Sequence, residues 1–398
     1  MINVVCGIRS TGRICTDLAM ELESYGHEVK IAYGREYVPE QYQKYAMRIG
    51  TNVDVKLHSI KSRLLDGAGF GSKKATKKFI EWIKEYNPDV IHLHNIHGYY
   101  INVEVLFNYL KVCGKKIIWT LHDCWAFTGH CANFTMIKCE KWKNKCLNCP
   151  QKLSYPKSFI DCSNRNYERK KKLFTQVPNL LIVTPSKWLA NLVKYSYLKE
   201  YPVNTVNNGI DINIFKPTPS DFRNKLELQN KKIILGVSNV WDIRKGFNDY
   251  LKLSKVIDET YFIVLVGVNK KQLKKLPKNM IGITRTNNAK ELAEIYTSAD
   301  VFFNPTYEDN YPTVNLEARA CGIPVITYNT GGSPESAGDE CIVIEKGDIK
   351  GVLSVINMLV KDRKIDINKI DKCVFVEQYI DLYKKEMIYY STTKNNNY

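Results

Sequence analysis

Long apolar runs are missing from this 398-residue chain. The longest, such as Phe262 to Val268, fall far short of the about 20 residues that a membrane-spanning helix needs, so none is expected. A signal peptide is also missing: Met1 to Cys6 enters a strand-like run directly, which points to a cytoplasmic protein. Acidic residues are scarce, 41 against 58 Lys and Arg, leaving a formal net charge of +17. The excess lies in short clusters: Lys73-Lys74, Lys77-Lys78, Arg169 to Lys172, Lys270-Lys271 and Lys274-Lys275. None is the long like-charged block of a disordered tail. A soluble basic surface, an anionic membrane, a nucleic acid or an anionic small substrate would each account for it. No repeat at solenoid periods is present. The loop Gly7-Ile8-Arg9-Ser10-Thr11-Gly12 lacks the middle glycine of a dinucleotide fingerprint, which weighs against a dehydrogenase.

What is present is a regular alternation. Short β-rich runs at Ile2 to Gly7, Val29 to Tyr33, Val90 to Leu93, Lys116 to Leu121 and Leu180 to Thr184 alternate with helical stretches such as 13–25, 75–86 and 101–112. A turn-rich junction covers about Tyr197 to Phe215. A second series then begins at Lys231, with strands at Ile233 to Val237, Phe262 to Val266, Val301 to Asn304 and Val325 to Tyr328. Its helices are expected at about 246–256, 288–299, 313–321 and 347–361. The pattern predicts an α/β protein with two doubly wound parallel domains. The boundaries expected are 1–198, with a Cys-rich insertion at about 124–165, then 199–373, then a C-terminal helix at 374–391 packing back on the first domain. The tail Thr392 to Tyr398 is polar and expected to be disordered. Ligands of such domains sit at the carboxyl ends of the strands, so two facing domains would enclose a cleft.

One stretch concentrates unusual residues: Tyr307 to Glu335. It opens with Glu308 and Asp309 in a loop. Pro312 then fits the first turn of a helix from about Thr313 to Ala320, which Gly322 and Pro324 stop. Glu317 stands out because its helix neighbours three and four positions away, Thr313, Val314, Ala320 and Cys321, are small or apolar. A carboxylate on an inward face needs donors. Ligand hydroxyls, an Arg from another element, backbone or water would each serve. A helix N-terminus that favours anions and a glycine loop, Gly331-Gly332, lie close by.

These motifs together resemble glycosyltransferase family 4, the retaining nucleotide-sugar transferases of the GT-B fold, in its bacterial capsule, O-antigen and exopolysaccharide branch. The resemblance covers nearly the whole chain. It is carried by Gly7 to Arg13, by Pro88-Asp89-Val90-Ile91-His92-Leu93-His94, by Thr120-Leu121-His122-Asp123 and by Asn207-Asn208-Gly209-Ile210-Asp211 with Phe215 and Pro217. Arg244-Lys245-Gly246 and Ala299 to Pro305 complete it. Two departures stand out. The family's paired glutamates have seven residues between them; counting back from Glu317 gives Asp309, with Glu308 beside it. The usual Gly-Arg pair before the lysine is replaced by Asn239-Val240, so Arg244 is the alternative second cation.

The resemblance implies transfer of a glycosyl unit from a nucleoside diphosphate sugar, UDP-sugar first, to a hydroxyl of a growing glycan on a polyprenyl diphosphate. The enzyme would sit peripherally at the inner membrane face, held there by Lys73 to Trp82 and Tyr99-Tyr100. Lys245 and Arg244, with N–H groups around Gly12 and Thr313, would receive the diphosphate. Glu317 would hold the ribose, Asp309 or Glu308 the sugar, and His122 would face the sugar from the first domain. His92 and His94 share one strand face and are expected to line core or cleft, with Asp123 a weaker candidate. No D-x-D stands in a convincing loop, since Asp211-Ile212-Asn213 belongs to the junction turn, so transfer without a metal or other cofactor is expected. Cys131, Cys139, Cys146 and Cys149 form C-x7-C-x6-C-x2-C, which suggests a structural zinc site, with free thiols and disulfides as alternatives. A nucleotide-sugar epimerase of the same fold is the near rival. A nucleic-acid-binding protein is the distant one, and no nucleic-acid partner is expected because both glycine loops and Glu317 would be left unexplained.

Overall fold

The computed structural model describes residues 1–356, 358 and 367–385. The polar tail from Thr392 and the last residues of the expected 374–391 helix lie outside them, as does the end of the helix expected at 347–361.

Two separate parallel sheets organise the chain. The first contains β1 (Ile2–Asn3), β2 (Ile31–Tyr33), β3 (Ala46–Arg48), β4 (Val90–Leu93), β5 (Lys116–Thr120), β6 (Leu180–Thr184) and β7 (Val203–Thr205). Its order is β3-β2-β1-β4-β5-β6-β7. The second contains β8 (Lys232–Val237), β9 (Tyr261–Val266), β10 (Met280–Ile283), β11 (Val301–Asn304), β12 (Val325–Tyr328) and β13 (Ile342–Ile344), in the order β10-β9-β8-β11-β12-β13. Each order reverses once, between β1 and β4 and between β8 and β11. At those points the outgoing loops diverge and leave a crevice. The central strands are apolar on both faces; β6, Leu-Leu-Ile-Val-Thr, is buried throughout because helices cover both sides. This is the GT-B architecture of two Rossmann-like domains. Because β7 belongs to the first sheet, that domain continues past residue 198 to Thr205.

The chain crosses between the domains twice, and the crossings touch. Ile210 bridges Asp371, Ile210 N–H donates to the Ile370 carbonyl (2.9 Å) and Lys372 N–H to the Ile210 carbonyl (2.8 Å). Gly209 is required there: a Cβ on it would lie 2.6 Å from the Lys372 Cα. Beyond this point the helix Lys372–Lys384 lies on the first domain. Phe375, Val376, Tyr379 and Ile380 share a core with Ile14, Leu18, Ile118 and Val183. Tyr379 and Tyr383 hydroxyls reach Thr120 Oγ1 (2.8 Å) and His92 Nδ1 (2.7 Å).

The insertion is marked in the sequence by its cysteines, but it is held by aromatic residues: it carries Trp125, Phe127, Phe134 and Trp142 into the main core of the first domain. Phe127 and Phe134 pack against Trp142 with ring centroids 5.3 and 4.9 Å apart. Large rings bury enough area that a few of them hold a loop.

Candidate active site

Between the sheets lies a cleft of about 370 Å³. The first domain supplies Ser10 and Thr11 after β1, Asn95 after β4, His122 and Asp123 after β5, and Pro185 after β6. The second supplies Ser238 to Trp241 after β8, then Arg244 and Lys245, and Asp309 to Val314 after β11. All follow the carboxyl ends of strands, on both sides of the two reversals.

Two helices point their N-termini into it. Helix α1 (Arg9–Ser24) has Ile8 at its N-cap, and the helix Thr313–Ala320 has Pro312; neither is capped by a side chain and neither has an acidic residue in its first turn. Uncapped N–H groups carry partial positive charge and suit an anion. Lys245 and Arg244 add full charges on the same side as Thr313. Lys245 Nζ is paired with the Asp309 carboxylate, and Arg244 with Asp242 at 3.3 Å. Asp242 also accepts the Lys245 backbone N–H at 3.1 Å, which fixes the short turn bearing both cations.

The neighbouring carboxylates separate. Asp309 lines the cleft, whereas Glu308 is turned away and buried. Glu308 Oε1 accepts Phe134 N–H (2.6 Å), Thr135 N–H (2.6 Å) and Thr135 Oγ1–H (2.8 Å), all from the insertion of the other domain. Glu308 is thus not among the residues lining the cleft; its Oε1 forms a latch between the domains. The glycine loop serves Asp309 directly. A Cβ on Gly331 would lie 1.9 Å from the Asp309 carbonyl oxygen, and Gly332 N–H donates to that oxygen at 3.1 Å. Only a residue without a side chain lets the two loops meet.

Glu317 lies one turn behind the cleft wall, buried, with Oε2 accepting the Tyr296 hydroxyl at 3.0 Å. Burial raises its pKa, opposed by Arg13 of α1 across the domain boundary and by Tyr296. The donor that the sequence left unnamed is thus a tyrosine, with an arginine at longer range. Gly12 is buried within α1, where its carbonyl takes the Gly7 N–H (3.1 Å), and the neighbouring Ser10 and Thr11 line the cleft.

His122 lines the cleft with Nε2 3.0 Å from His94 Nδ1. Burial lowers its pKa to about 4, so the imidazole is neutral near pH 7. His92 and His94 are buried and likewise held neutral by desolvation. His92 is locked between Tyr383 and Thr120; His94 supports His122. Asp123 bonds His97 Nε2 at 2.9 Å; burial opposes its ionisation most strongly, but His97, the Trp125 N–H and His122 together outweigh that and its pKa falls.

Asn310 had no sequence signal beyond its place after Asp309. Its amide donates to the His122 carbonyl (3.2 Å) and accepts from Ser186 Oγ (2.6 Å), joining both domains at the cleft floor. Glu335 adds a second latch, taking the Lys187 and Trp188 N–H groups at 2.8 Å each.

The four clustered cysteines surround one small void of about 20 Å³, together with His130. Cys131 and Cys149 hydrogen-bond to each other, which raises the Cys131 pKa and lowers that of Cys149. Cys146 Sγ accepts the Gly129 N–H at 3.2 Å. As they stand, no three His, Cys, Asp or Glu side chains among the described residues are set to hold one metal ion.

The sequence matches the profile of Glycosyltransferase Family 4 over residues 11–214 and that of Glycosyl transferases group 1 over residues 220–372. WcaC of Escherichia coli (strain K12), named for glycosyl transfer in colanic acid biosynthesis, is 28% identical over 62% of this chain and 62% of its own length. That match spans less than two thirds of the relative. The sucrose-phosphate synthase of Thermosynechococcus elongatus superposes with a TM-score of 0.68 at 16% identity, over 96% of this chain and 97% of its own. HepE of Anabaena, solved with UDP and glucose, superposes at 0.64 and 14% identity, over 97% and 98% of the two chains. At these identities the two structures speak for the fold.

Proposed function

The chain belongs to glycosyltransferase family 4, and on that premise we propose that it moves a sugar from a nucleoside diphosphate sugar to a hydroxyl of a growing, lipid-linked surface polysaccharide, retaining the anomeric configuration. The observation that carries the reading is the pair of uncapped helix N-termini facing one cleft beside Lys245 and Arg244. Negative charge grows on the leaving diphosphate during transfer, and fixed donors aimed at it lower the barrier without reorganising.

In this reading Lys245, Arg244 and the N–H groups of Thr313 and Val314 receive the diphosphate. Glu317 accepts the ribose hydroxyls, oriented by Tyr296. Asp309, released from Lys245 as the phosphates take that cation, accepts sugar hydroxyls. Neutral His122 faces the sugar from the first domain and can accept or donate a hydrogen bond without adding charge. UDP is the first choice of nucleotide, in keeping with the ligand of the Anabaena fold neighbour. The polysaccharide acceptor accords with the colanic acid relative. Transfer needs no metal in this scheme because the cations of the chain and the helix ends stand where the diphosphate charge would fall. The four cysteines remain a proposed structural zinc site, supported by their shared void, and absence of zinc from purified protein removes that proposal.

Thermal-shift measurements against UDP, GDP and their common sugars test the donor site. Stabilisation by at least one nucleotide is expected, together with its loss in Glu317→Ala. If no nucleotide raises the melting temperature, the reading fails.

A further inference from the structure

Helix α2 (Asn52–Leu65) is built inside out. Its buried residues are His58 and Ser62, while Val53, Leu57, Ile60, Leu64 and Leu65 are 51–63% exposed. At about 100° per residue, Val53, Leu57, Ile60 and Leu64 fall within an arc of roughly 60°. Lys56 and Arg63 flank that stripe on one side and Lys61 on the other, all exposed. The inner face is committed elsewhere: His58 Nε2 accepts Gly71 N–H and its Nδ1 meets Ser72 Oγ, each at 3.0 Å. Rotating the helix to bury the apolar stripe would forfeit both contacts, so the exposure is fixed.

The patch continues onto the insertion. Phe159 N–H donates to the Arg63 carbonyl at 2.8 Å, placing exposed Phe159 and Ile160, with Lys157, at the end of α2. Asp66, which ends the helix, is tied to the same insertion through His130 (2.6 Å) and Cys162 N–H (2.9 Å). The same loop also reaches the cleft: Tyr155 OH meets His97 Nδ1 at 3.0 Å, and His97 bonds the cleft residue Asp123.

We propose that the α2 stripe, with Phe159 and Ile160, seats on an anionic lipid bilayer surface. It rests on the lipid-linked acceptor proposed above and assigns that acceptor its direction of approach. Apolar side chains ringed by long cations fit an interface, where the stems lie along the acyl boundary and the charged heads meet lipid phosphates. A cationic rim complements an anionic bilayer, and the net charge of +17 keeps the attraction long-ranged at low salt. This relocates the membrane face from the stretches expected to form it. Tyr100, Phe79 and Ile80 are buried in the first-domain core, so the exposed residues of Lys73–Tyr86 are charged ones, its lysines together with Glu81 and Glu85.

The test is flotation of the full chain with vesicles of phosphatidylglycerol and phosphatidylethanolamine, and with phosphatidylcholine alone. Binding to the anionic vesicles is expected. Leu57→Glu with Ile60→Glu should lower it at least about tenfold, and Lys56→Glu with Arg63→Glu should reduce the preference for anionic over neutral vesicles. Both variants change exposed residues, so melting temperature and nucleotide-induced stabilisation should match the parent. Unchanged vesicle binding in Leu57→Glu/Ile60→Glu overturns the proposal. So does a lipid-free dimer that this variant converts to monomer, which would make the face an interface between copies. Vesicle binding by a parent chain that binds no nucleotide, lost in Leu57→Glu/Ile60→Glu, would leave the docking face standing and fell only the transferase reading.

Discussion

Glu308 and Asp309 are adjacent, chemically similar and opposite in use. The backbone turns one carboxylate into the cleft beside Lys245 and the other into three hydrogen bonds from the insertion. The sequence could narrow the sugar-facing residue to these two and no further, because which way a loop carboxylate turns depends on what lies across the domain boundary. The partners of Glu308 are backbone N–H groups of Phe134 and Thr135, which have no sequence signature. Glu308→Ala should leave those buried donors unpaired and cost about 2 kcal/mol in denaturant unfolding, with nucleotide affinity changed less than about twofold. A fall in nucleotide affinity with unchanged stability would return Glu308 to the donor site.

At the scale of elements, the nine inner strands and the helix behind Pro312 were legible, because buried parallel strands read as apolar runs and Pro, Gly and acidic residues punctuate them, whereas the short edge strands β3, β7, β10 and β13 were not. Helix α2 was not, although its start is written plainly: Thr51 and Asp54 form a reciprocal capping box. Its apolar stripe has helical spacing but faces outward, and its inward face is polar. His58 makes that inversion measurable. Burial lowers its pKa from 6.5 to about 4, whereas the unfolded chain takes the proton near 6.5. Its contribution to stability is complete above pH 6.5 and is lost as pH falls through that value toward 4. Urea unfolding at pH 7 and pH 4.5 should show a loss about 2 kcal/mol smaller in His58→Asn than in the parent. An identical pH dependence in the two proteins would mean the histidine is already charged when folded. The insertion was legible only through its cysteines, because isolated aromatic residues without a helical or strand period do not announce that Trp125, Phe127, Phe134 and Trp142 are placed in the core.

At the scale of the molecule, the cleft is closed on one flank by Glu308, Glu335 and Asn310, and tied on another by the paired crossings at Ile210 and Asp371. The crossing motif was visible in the sequence as Asn207 to Asp211. Its purpose was not, because the backbone that Gly209 admits comes from more than 150 residues later. Removing residues 372–398 should uncover Ile14, Leu18, Ile118 and Val183 and lower the first domain's melting temperature by more than 10 °C, as loss of several large side chains from a core costs many kcal/mol. A truncated chain that melts like the parent would show the helix to be ornamental. The same connectivity sets an order on biosynthesis. The first domain emerges early from the ribosome but lacks one wall of its core until Lys372–Lys384 follow, and in the meantime the second domain can complete itself. The half that is made first is therefore finished last, and it stays exposed to chaperones and proteases for as long as translation of the remainder takes.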